Sequence, residues 1–204
     1  DNFENDQFRF GFAKFITIDG VKIWTQRLSY VGELGYELYV DLKDAKKIYE
    51  LLIEKGKDFN LSNCGMHAMD IMRMESGFLH WGHDISPEEN QYQAGLAFTI
   101  SNKKDVDFIG KQALEKIKQD KVKTRFSMFT LKESEPGKPL LLHDEPIYID
   151  DKIIGRSTSG NYSFNFKKNL VFGYINNDFS NEELQNKNLF IEVEKKKYPI
   201  EIIN

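Results

Sequence analysis

The 204-residue chain is poor in cysteine and in long apolar runs, and it has no excess of positive charge. Its single cysteine, Cys64, excludes an internal disulfide framework and fits a reducing compartment, so we expect a cytoplasmic protein. No run approaches the roughly 18 consecutive apolar residues of a membrane span. The 28 basic and 32 acidic residues give a net charge of −4, which argues against a nucleic-acid binder. We therefore expect neither a membrane nor a nucleic acid as partner.

Several catalytic motifs are missing as well. The sequence contains no Gly-x-Ser-x-Gly, no Walker A loop, and no Gly-x-Gly-x-x-Gly after a strand-like segment. These absences remove the usual sequence signs of a serine hydrolase and of a nucleotide or dinucleotide site. The chain begins at Asp1 rather than at methionine and soon enters a strand-like segment, so we expect it to be a piece of a longer polypeptide.

The hydrophobic pattern divides the chain into a mixed first part and an all-β second part. The first part is predicted to contain, in order, a hairpin over 11–29 with Asp19-Gly20 at its turn, a strand over 35–40, a helix from Asp44 to Gly56, a helix over 66–76, a strand over 94–100 and a helix over 108–119. This part therefore contains both helices and strands, and we interpret it as an α+β arrangement.

The second part alternates with the period of β structure throughout. Its predicted strands cover 125–131, 146–149, 153–158, 170–175, 189–193 and 198–203. Turn signals separate them at the spacing of a small barrel or sandwich. Residues 118–123 are charged and poor in apolar side chains, so we place the boundary there, with domains over 1–122 and 123–204.

One acidic motif has the features of a binding pocket. In the segment Tyr30-Val31-Gly32-Glu33-Leu34-Gly35-Tyr36-Glu37, two glycines allow sharp turns and two carboxylates stand beside aromatic residues. A carboxylate against a flat aromatic surface suits a pyrimidine-like ring with adjacent N–H donors, because its oxygens can accept two parallel hydrogen bonds. The alternative is a hairpin corner whose glutamates face water.

Two further groups allow a functional or a structural interpretation. Arg73 follows Asp70 at helical i, i+3 spacing, so it either serves a site or forms an intrahelical ion pair. The loop His80-Trp81-Gly82-His83-Asp84 contains potential metal ligands, but the four-ligand set of structural zinc and the helical metalloprotease spacing are both absent. We therefore interpret its histidines as loop residues that form hydrogen bonds rather than as metal ligands, and no metal is expected. Trp81 is expected either in the core or in the wall of a pocket.

Stretches distributed in order over nearly the whole chain resemble one known family. They are Arg27–Tyr39, His67–Asp70, Arg73–Gly77, His80–Ile85, Asp107–Lys111, Thr158–Gly160 and Gly173-Tyr174. The family is that of the aminomethyltransferases, or glycine cleavage T-proteins, and the His-Trp-Gly-His-Asp-Ile loop is similar to its branch fused to dimethylglycine and sarcosine dehydrogenases. The resemblance implies an α+β fold, in which the later part of a folate-binding domain (1–122) precedes a small all-β C-terminal barrel domain (123–204).

The resemblance also implies tetrahydrofolate chemistry, in which folate N5 captures a one-carbon unit from an N-methylated or aminomethyl substrate. The family's pterin-contacting glutamate falls at Glu37, which would accept hydrogen bonds from the pterin amino and ring N–H groups. Glu33 would support the turn or a neighbouring backbone donor. Tyr36, Arg73 and Trp81 would line or buttress the folate site.

The sequence departs from the family pattern at two places. Met69 stands where many T-proteins have an arginine that contacts folate or substrate. The family's catalytic aspartate belongs to an upstream half of the folate-binding domain, which would precede Asp1, as would any FAD-binding domain. We therefore expect these 204 residues alone to lack transfer activity, to bind folate weakly, and to self-associate through the apolar face that the missing half would cover.

Three functions from different classes are open at this point. The favoured one is a parent enzyme that moves a one-carbon unit from an amine to folate. The second is a non-catalytic folate-binding module of the same fold; the iron–sulfur assembly relatives carry a Lys-Gly-Cys-Tyr-type motif that Asn63-Cys64-Gly65 does not match. The third is an interaction domain whose β-barrel docks a partner chain.

Overall fold

The chain separates into two compact units in a computed structural model that describes residues 2–101 and 106–203. The first unit extends to Phe78 and the second begins at Leu79. The first contains β1 (Ala13–Ile18), β2 (Val21–Gln26), β3 (Glu37–Tyr39), α1 (Leu42–Gly56) and α2 (Met66–Glu75). The second contains α3 (Lys111–Asp120), β4 (Thr124–Leu131), β5 (Pro146–Ile149), β6 (Lys152–Ser163), β7 (Lys168–Asn176), α4 (Asn181–Gln185), β8 (Leu189–Val193) and β9 (Lys196–Ile203).

The first unit is built on a three-stranded antiparallel sheet in the order β1-β2-β3. Its hairpin turns at Asp19 and Gly20, whose φ angles of 46° and 76° are both positive, as a type I′ turn requires. The hairpin prediction is therefore confirmed. Because this turn fixes the register, Phe15 lies opposite Trp24 and Ile16 opposite Ile23.

One face of this sheet packs against α1. Ile16, Ile23 and Ile48 form the buried centre, and Ile48 comes from the helix. The prediction that Asp44 begins this helix is wrong, because Leu42 is its first residue and Asp41 occupies the N-cap position. Asp44 lies in the first turn instead, where its carboxylate is next to the positive end of the helix dipole.

The second unit is a closed six-stranded barrel in the order β4-β7-β6-β5-β8-β9. All six predicted strands are confirmed, and closure through β4 and β9 settles the choice between barrel and sandwich. The barrel core consists of inward aliphatic and aromatic side chains, among them Phe129, Ile147, Val171, Ile191 and Ile200. The expected fold class, an α+β part followed by an all-β barrel, is thus confirmed.

The predicted strand over 94–100 is wrong. This segment contains turns and a short 3₁₀ helix, Ala97–Thr99. The Asn90 side chain accepts hydrogen bonds from the backbone N–H groups of Tyr92 and Gln93, both at 3.0 Å, and this starts a compact turn. Gly95 then has a φ of +72°, which an extended strand cannot include.

Two helices of the second unit also differ from the expectation. The helix predicted over 108–119 spans Lys111–Asp120, after Gly110. The short α4 was not predicted, although Ser180 and Glu183 form a complete capping box at its start. None of the helices in the described ranges is long and apolar enough to cross a membrane. The domain boundary expected at 122/123 stays a prediction.

Candidate functional site

The glycine turn of the acidic motif rests on the end of α2. Gly32 has a φ of +77°, and a Cβ atom there would lie 2.1 Å from Ser76 Oγ. Ser76 Oγ donates a hydrogen bond to the Val31 carbonyl oxygen at 3.0 Å. Glycine is therefore required at position 32 by both conformation and space, and α2 holds the turn in place.

Arg73 is a buried residue that supports the C-terminal end of α2. Its side chain is 1% exposed, and Nε and Nη2 donate to Asp70 Oδ1 at 2.9 and 2.7 Å. Its Nη1 donates to the Phe78 carbonyl oxygen at 3.1 Å. The predicted intrahelical pair is confirmed, and these contacts favour a supporting role for Arg73 over direct contact with a ligand.

Glu37 lies on the exposed face of the sheet. Leu38 packs on the core with Ile16 and Ile23, so its neighbours Glu37 and Tyr39 point to the opposite face. Tyr39 Oη donates a hydrogen bond to Glu37 Oε2 at 2.6 Å. This hydrogen bond raises the pKa of Tyr39, because an ionised phenol could not donate to the carboxylate. One carboxylate oxygen is thus oriented while the group stays accessible.

An aromatic row lies beside Glu37 on the same face. Phe15 is opposite Trp24, and Trp24 is opposite Tyr39, so three rings cross the sheet in line. Phe15 and Trp24 have ring centroids 4.9 Å apart, while Phe15 and Tyr39 are 54% and 53% exposed. Sequence reasoning missed Phe15 and Trp24. The Asp19-Gly20 turn would have paired Phe15 with Trp24, but their place beside Glu37 depends on the separate register between β2 and β3.

The other two residues of the motif lie apart from this row. The Tyr36 ring packs against Phe3 and Phe8, with centroids 5.2 and 5.5 Å away. Glu33 is exposed in the turn. The aromatic residue that accompanies the Glu37 carboxylate is therefore Tyr39, two positions on, rather than its sequence neighbour Tyr36.

Trp81 belongs to the second unit, in a loop organised by a buried aspartate. Trp81 is 64% exposed, so the option that it lies in the core is wrong. Asp84 is 1% exposed and accepts hydrogen bonds from Thr158 Oγ1 at 2.5 Å, Ser159 Oγ at 2.8 Å and the His80 backbone N–H at 2.9 Å. Asp84 therefore connects the loop to β6 through buried hydrogen bonds.

The two histidines of this loop lie close together. The His80 and His83 rings have centroids 4.5 Å apart. Within 2–101 and 106–203, no cluster of three or more His, Cys, Asp or Glu side chains is arranged to hold a metal ion. The loop is held by its own backbone hydrogen bonds, such as Gly82 N–H to the Ile85 carbonyl oxygen at 2.7 Å, and by the contacts of Asp84.

Comparisons with known proteins match two family models to the chain, one after the other. A family model described as the GCVT N-terminal domain matches residues 1–104. A second, described as the glycine cleavage T-protein C-terminal barrel domain, matches residues 125–204. The crystal structure of glycine cleavage system aminomethyltransferase T from Bartonella henselae covers 89% of this chain with a TM-score of 0.77 and 21% identity, and 48% of that chain is matched. That similarity shows a shared fold.

Two curated relatives are more similar in sequence. Mitochondrial dimethylglycine dehydrogenase of Homo sapiens is 32% identical over 203 residues, covering 100% of this chain and 23% of the relative. An aminomethyltransferase of Symbiobacterium thermophilum is 34% identical over 167 residues, 81% of this chain and 44% of the relative. The chain thus spans about a quarter of the length of its dehydrogenase relatives. With one family model matching its first half and another its barrel, the chain belongs to the glycine cleavage T-protein family.

Proposed function

We propose that the chain is the C-terminal part of an enzyme that transfers a one-carbon unit from an amine to tetrahydrofolate. The observation that carries this proposal is the Glu37 carboxylate, accessible on an open sheet face beside an aromatic row. The edge of a pterin ring presents an amino group and a ring N–H side by side. A carboxylate can accept from both at once, and a flat ring gains by contact with aromatic surface.

The residues of this chain bind and orient the folate in this proposal. Glu37 accepts hydrogen bonds from the pterin amino and N–H groups, and Tyr39 keeps its carboxylate in position through the 2.6 Å hydrogen bond. Trp24 and Tyr39 provide the aromatic surface. Arg73 supports α2, while Tyr36 and Glu33 shape the turn that leads into β3.

Tetrahydrofolate supplies the nucleophilic N5 that captures the one-carbon unit. The carboxylate that manages the proton near N5 comes, in this proposal, from sequence outside these 204 residues. FAD is likewise assigned to an upstream domain. The chain's 23% share of its dehydrogenase relatives supports this assignment. The isolated 204-residue chain is therefore expected to be inactive in transfer.

Binding is tested by calorimetric titration of the natural full-length polypeptide with 5-formyltetrahydrofolate, a stable reduced folate. Glu37→Gln removes the charge but keeps the shape, and should weaken binding about 10- to 100-fold, the usual value of a charge-assisted hydrogen bond. Glu115→Gln, on the exposed surface of α3, is the matched control and should bind as the wild type does. Equal affinity of all three proteins would contradict the proposal.

Turnover separates the remaining functions. Formation of methylene- or methyltetrahydrofolate from an N-methylated or aminomethyl donor identifies the transferase. Folate binding without turnover by the full-length polypeptide identifies the non-catalytic module. Failure of the full-length polypeptide to bind folate leaves the interaction domain. The same assay on the 204 residues alone tests their inactivity, which turnover above a trace of the full-length rate would disprove.

A further inference from the structure

Gln26 lies directly opposite Glu37 in the pairing of β2 with β3. The core-facing residues of β2 are Ile23 and Thr25, both 0% exposed, so Trp24 and Gln26 face the other way. Gln26 therefore shares the open face with Glu37 and is half-buried. Directly paired residues of an antiparallel sheet have Cβ atoms about 5 Å apart, within reach of one ligand edge.

The two side chains together offer complementary hydrogen-bonding groups. The Glu37 carboxylate offers only acceptors, whereas the Gln26 amide has an N–H₂ donor and a carbonyl acceptor. The amide presents its N–H₂ group on the side of the carboxylate, because two acceptors side by side repel each other. The neighbouring cross-strand pair is Trp24 and Tyr39, so one side of this polar pair is walled by aromatic rings. A planar heterocycle bound here would meet two acceptors and one donor along its edge.

A 4-oxopteridine has the complementary edge. Its 2-amino group and N3–H are adjacent donors, and the O4 carbonyl oxygen that follows is an acceptor. We propose that Gln26 is a specificity-determining residue that donates a hydrogen bond to O4 while Glu37 accepts from N3–H and the 2-amino group. This inference rests on the proposed function. It adds that the site selects the 4-oxo form of the ring over a 4-amino form.

The selection follows from the cost of mismatched groups. In a 2,4-diaminopteridine, N3 carries a lone pair that faces the Glu37 carboxylate, and the 4-amino group meets the N–H₂ donor of Gln26. Turning the amide over to accept from the 4-amino group would bring its carbonyl oxygen next to the Glu37 carboxylate, which is unfavourable. The 4-amino ring therefore loses the matched hydrogen bonds and places like groups against each other, which lowers its affinity relative to the 4-oxo ring. Folic acid and aminopterin differ only in the oxo or amino group at position 4, and so they report this contact.

The test is calorimetric titration of the full-length polypeptide with folic acid and with aminopterin. The wild type should prefer folic acid, and Gln26→Glu should lower the ratio of the two affinities about tenfold, because an acceptor then faces O4. Gln26→Met keeps the length without charge and should weaken folic acid binding several-fold. Gln119→Glu makes the same charge change on the exposed surface of α3 and should leave the ratio unchanged.

The outcomes separate the two proposals. If Glu37→Gln weakens folate binding while Gln26→Glu keeps the wild-type ratio, the role of Gln26 is wrong and the proposed function stands. If Glu37→Gln binds like the wild type, or the wild type binds no folate, the proposed function itself fails. Thermal unfolding of each variant checks that the fold is intact. Should Gln26→Glu fail to fold, folic acid binding by the uncharged Gln26→Met variant tests the role of Gln26.

Discussion

The two units use β structure in opposite ways. Every strand of the barrel is paired on both sides, and fourteen buried residues fill its interior, so its apolar surface is enclosed. The sheet of the first unit encloses one face only, against a hydrophobic cluster of three buried isoleucines, and leaves an aromatic row half exposed on the other. We therefore expect the barrel core to contribute most of the stability, whereas the surface proposed to bind a ligand is on the open sheet.

The largest expected effect is a loss of stability when the enclosed core of the barrel is disrupted. Phe129 is fully buried in the barrel core, so Phe129→Ala should lower the free energy of unfolding by about 3–5 kcal/mol through lost burial and a cavity. Urea unfolding followed by circular dichroism measures it. Phe164→Ala, at a site 72% exposed, is the control and should change little. Equal losses in both variants would show that the barrel core is not the source of stability.

The next effect concerns the loop fastened to the barrel. Asp84→Ala should destabilise the second unit by about 3 kcal/mol, because it removes the carboxylate that accepts from the buried hydroxyls of Thr158 and Ser159. The same unfolding experiment measures it, with the exposed Asp178→Ala as control. A stability equal to that of the control would mean that the loop is held by other contacts.

A smaller effect is expected on the open face. Tyr39→Phe removes the donor to Glu37 and should weaken 5-formyltetrahydrofolate binding about 3- to 10-fold, the range for one hydrogen bond. Its unfolding free energy should stay within about 0.5 kcal/mol of the wild type, because Tyr39 is exposed. Titration and urea unfolding of one preparation measure both. A stability loss that exceeds the binding loss would contradict the separation of roles between the two units.

The smallest expected effect is a loss of stability at alkaline pH. Burial raises the pKa of Tyr174 well above its ordinary value of 10.0, and Glu89 and Asp84 add to the shift. Above pH 10 the unfolded chain therefore releases this proton while the folded barrel retains it, so stability should fall as pH rises. In a spectrophotometric titration of tyrosine ionisation, Tyr174→Phe should match the wild type up to about pH 11. A smaller absorbance change in the variant below that pH would show that Tyr174 ionises normally.

The parts of the fold that local patterns dictate could be predicted from the sequence. The Asp19-Gly20 turn, α2 and the six barrel strands follow from turn chemistry and periodicity. The segment over 94–100 could not be predicted in the same way, because its apolar residues resemble a strand while the Asn90 side chain and Gly95 turn the backbone. Side chains compete with backbone pairing there, and periodicity does not register that competition.

The candidate site was only partly predictable for a related reason. Glu37 was identified from its motif, but its partners Trp24 and Gln26 lie 13 and 11 residues earlier and meet it only through strand register. Tyr36 was expected beside Glu37 because the two are adjacent in sequence. Tyr36 directly precedes β3 and packs against Phe3 and Phe8, whereas Tyr39 contacts the Glu37 carboxylate; the predicted role of Tyr36 at the folate site stays a prediction.

The contact between Asp84 and Thr158 spans 74 residues of sequence, whereas β6 and β7, or β8 and β9, are joined by short turns. Closing so long a segment costs conformational entropy before the contact can contribute any energy. We therefore expect a defined order of assembly in the second unit. The hairpins form first, and β6 then presents its Thr158 and Ser159 hydroxyls. The loop around Asp84 docks last, so the formation of its contacts with β6 marks the completion of the native barrel.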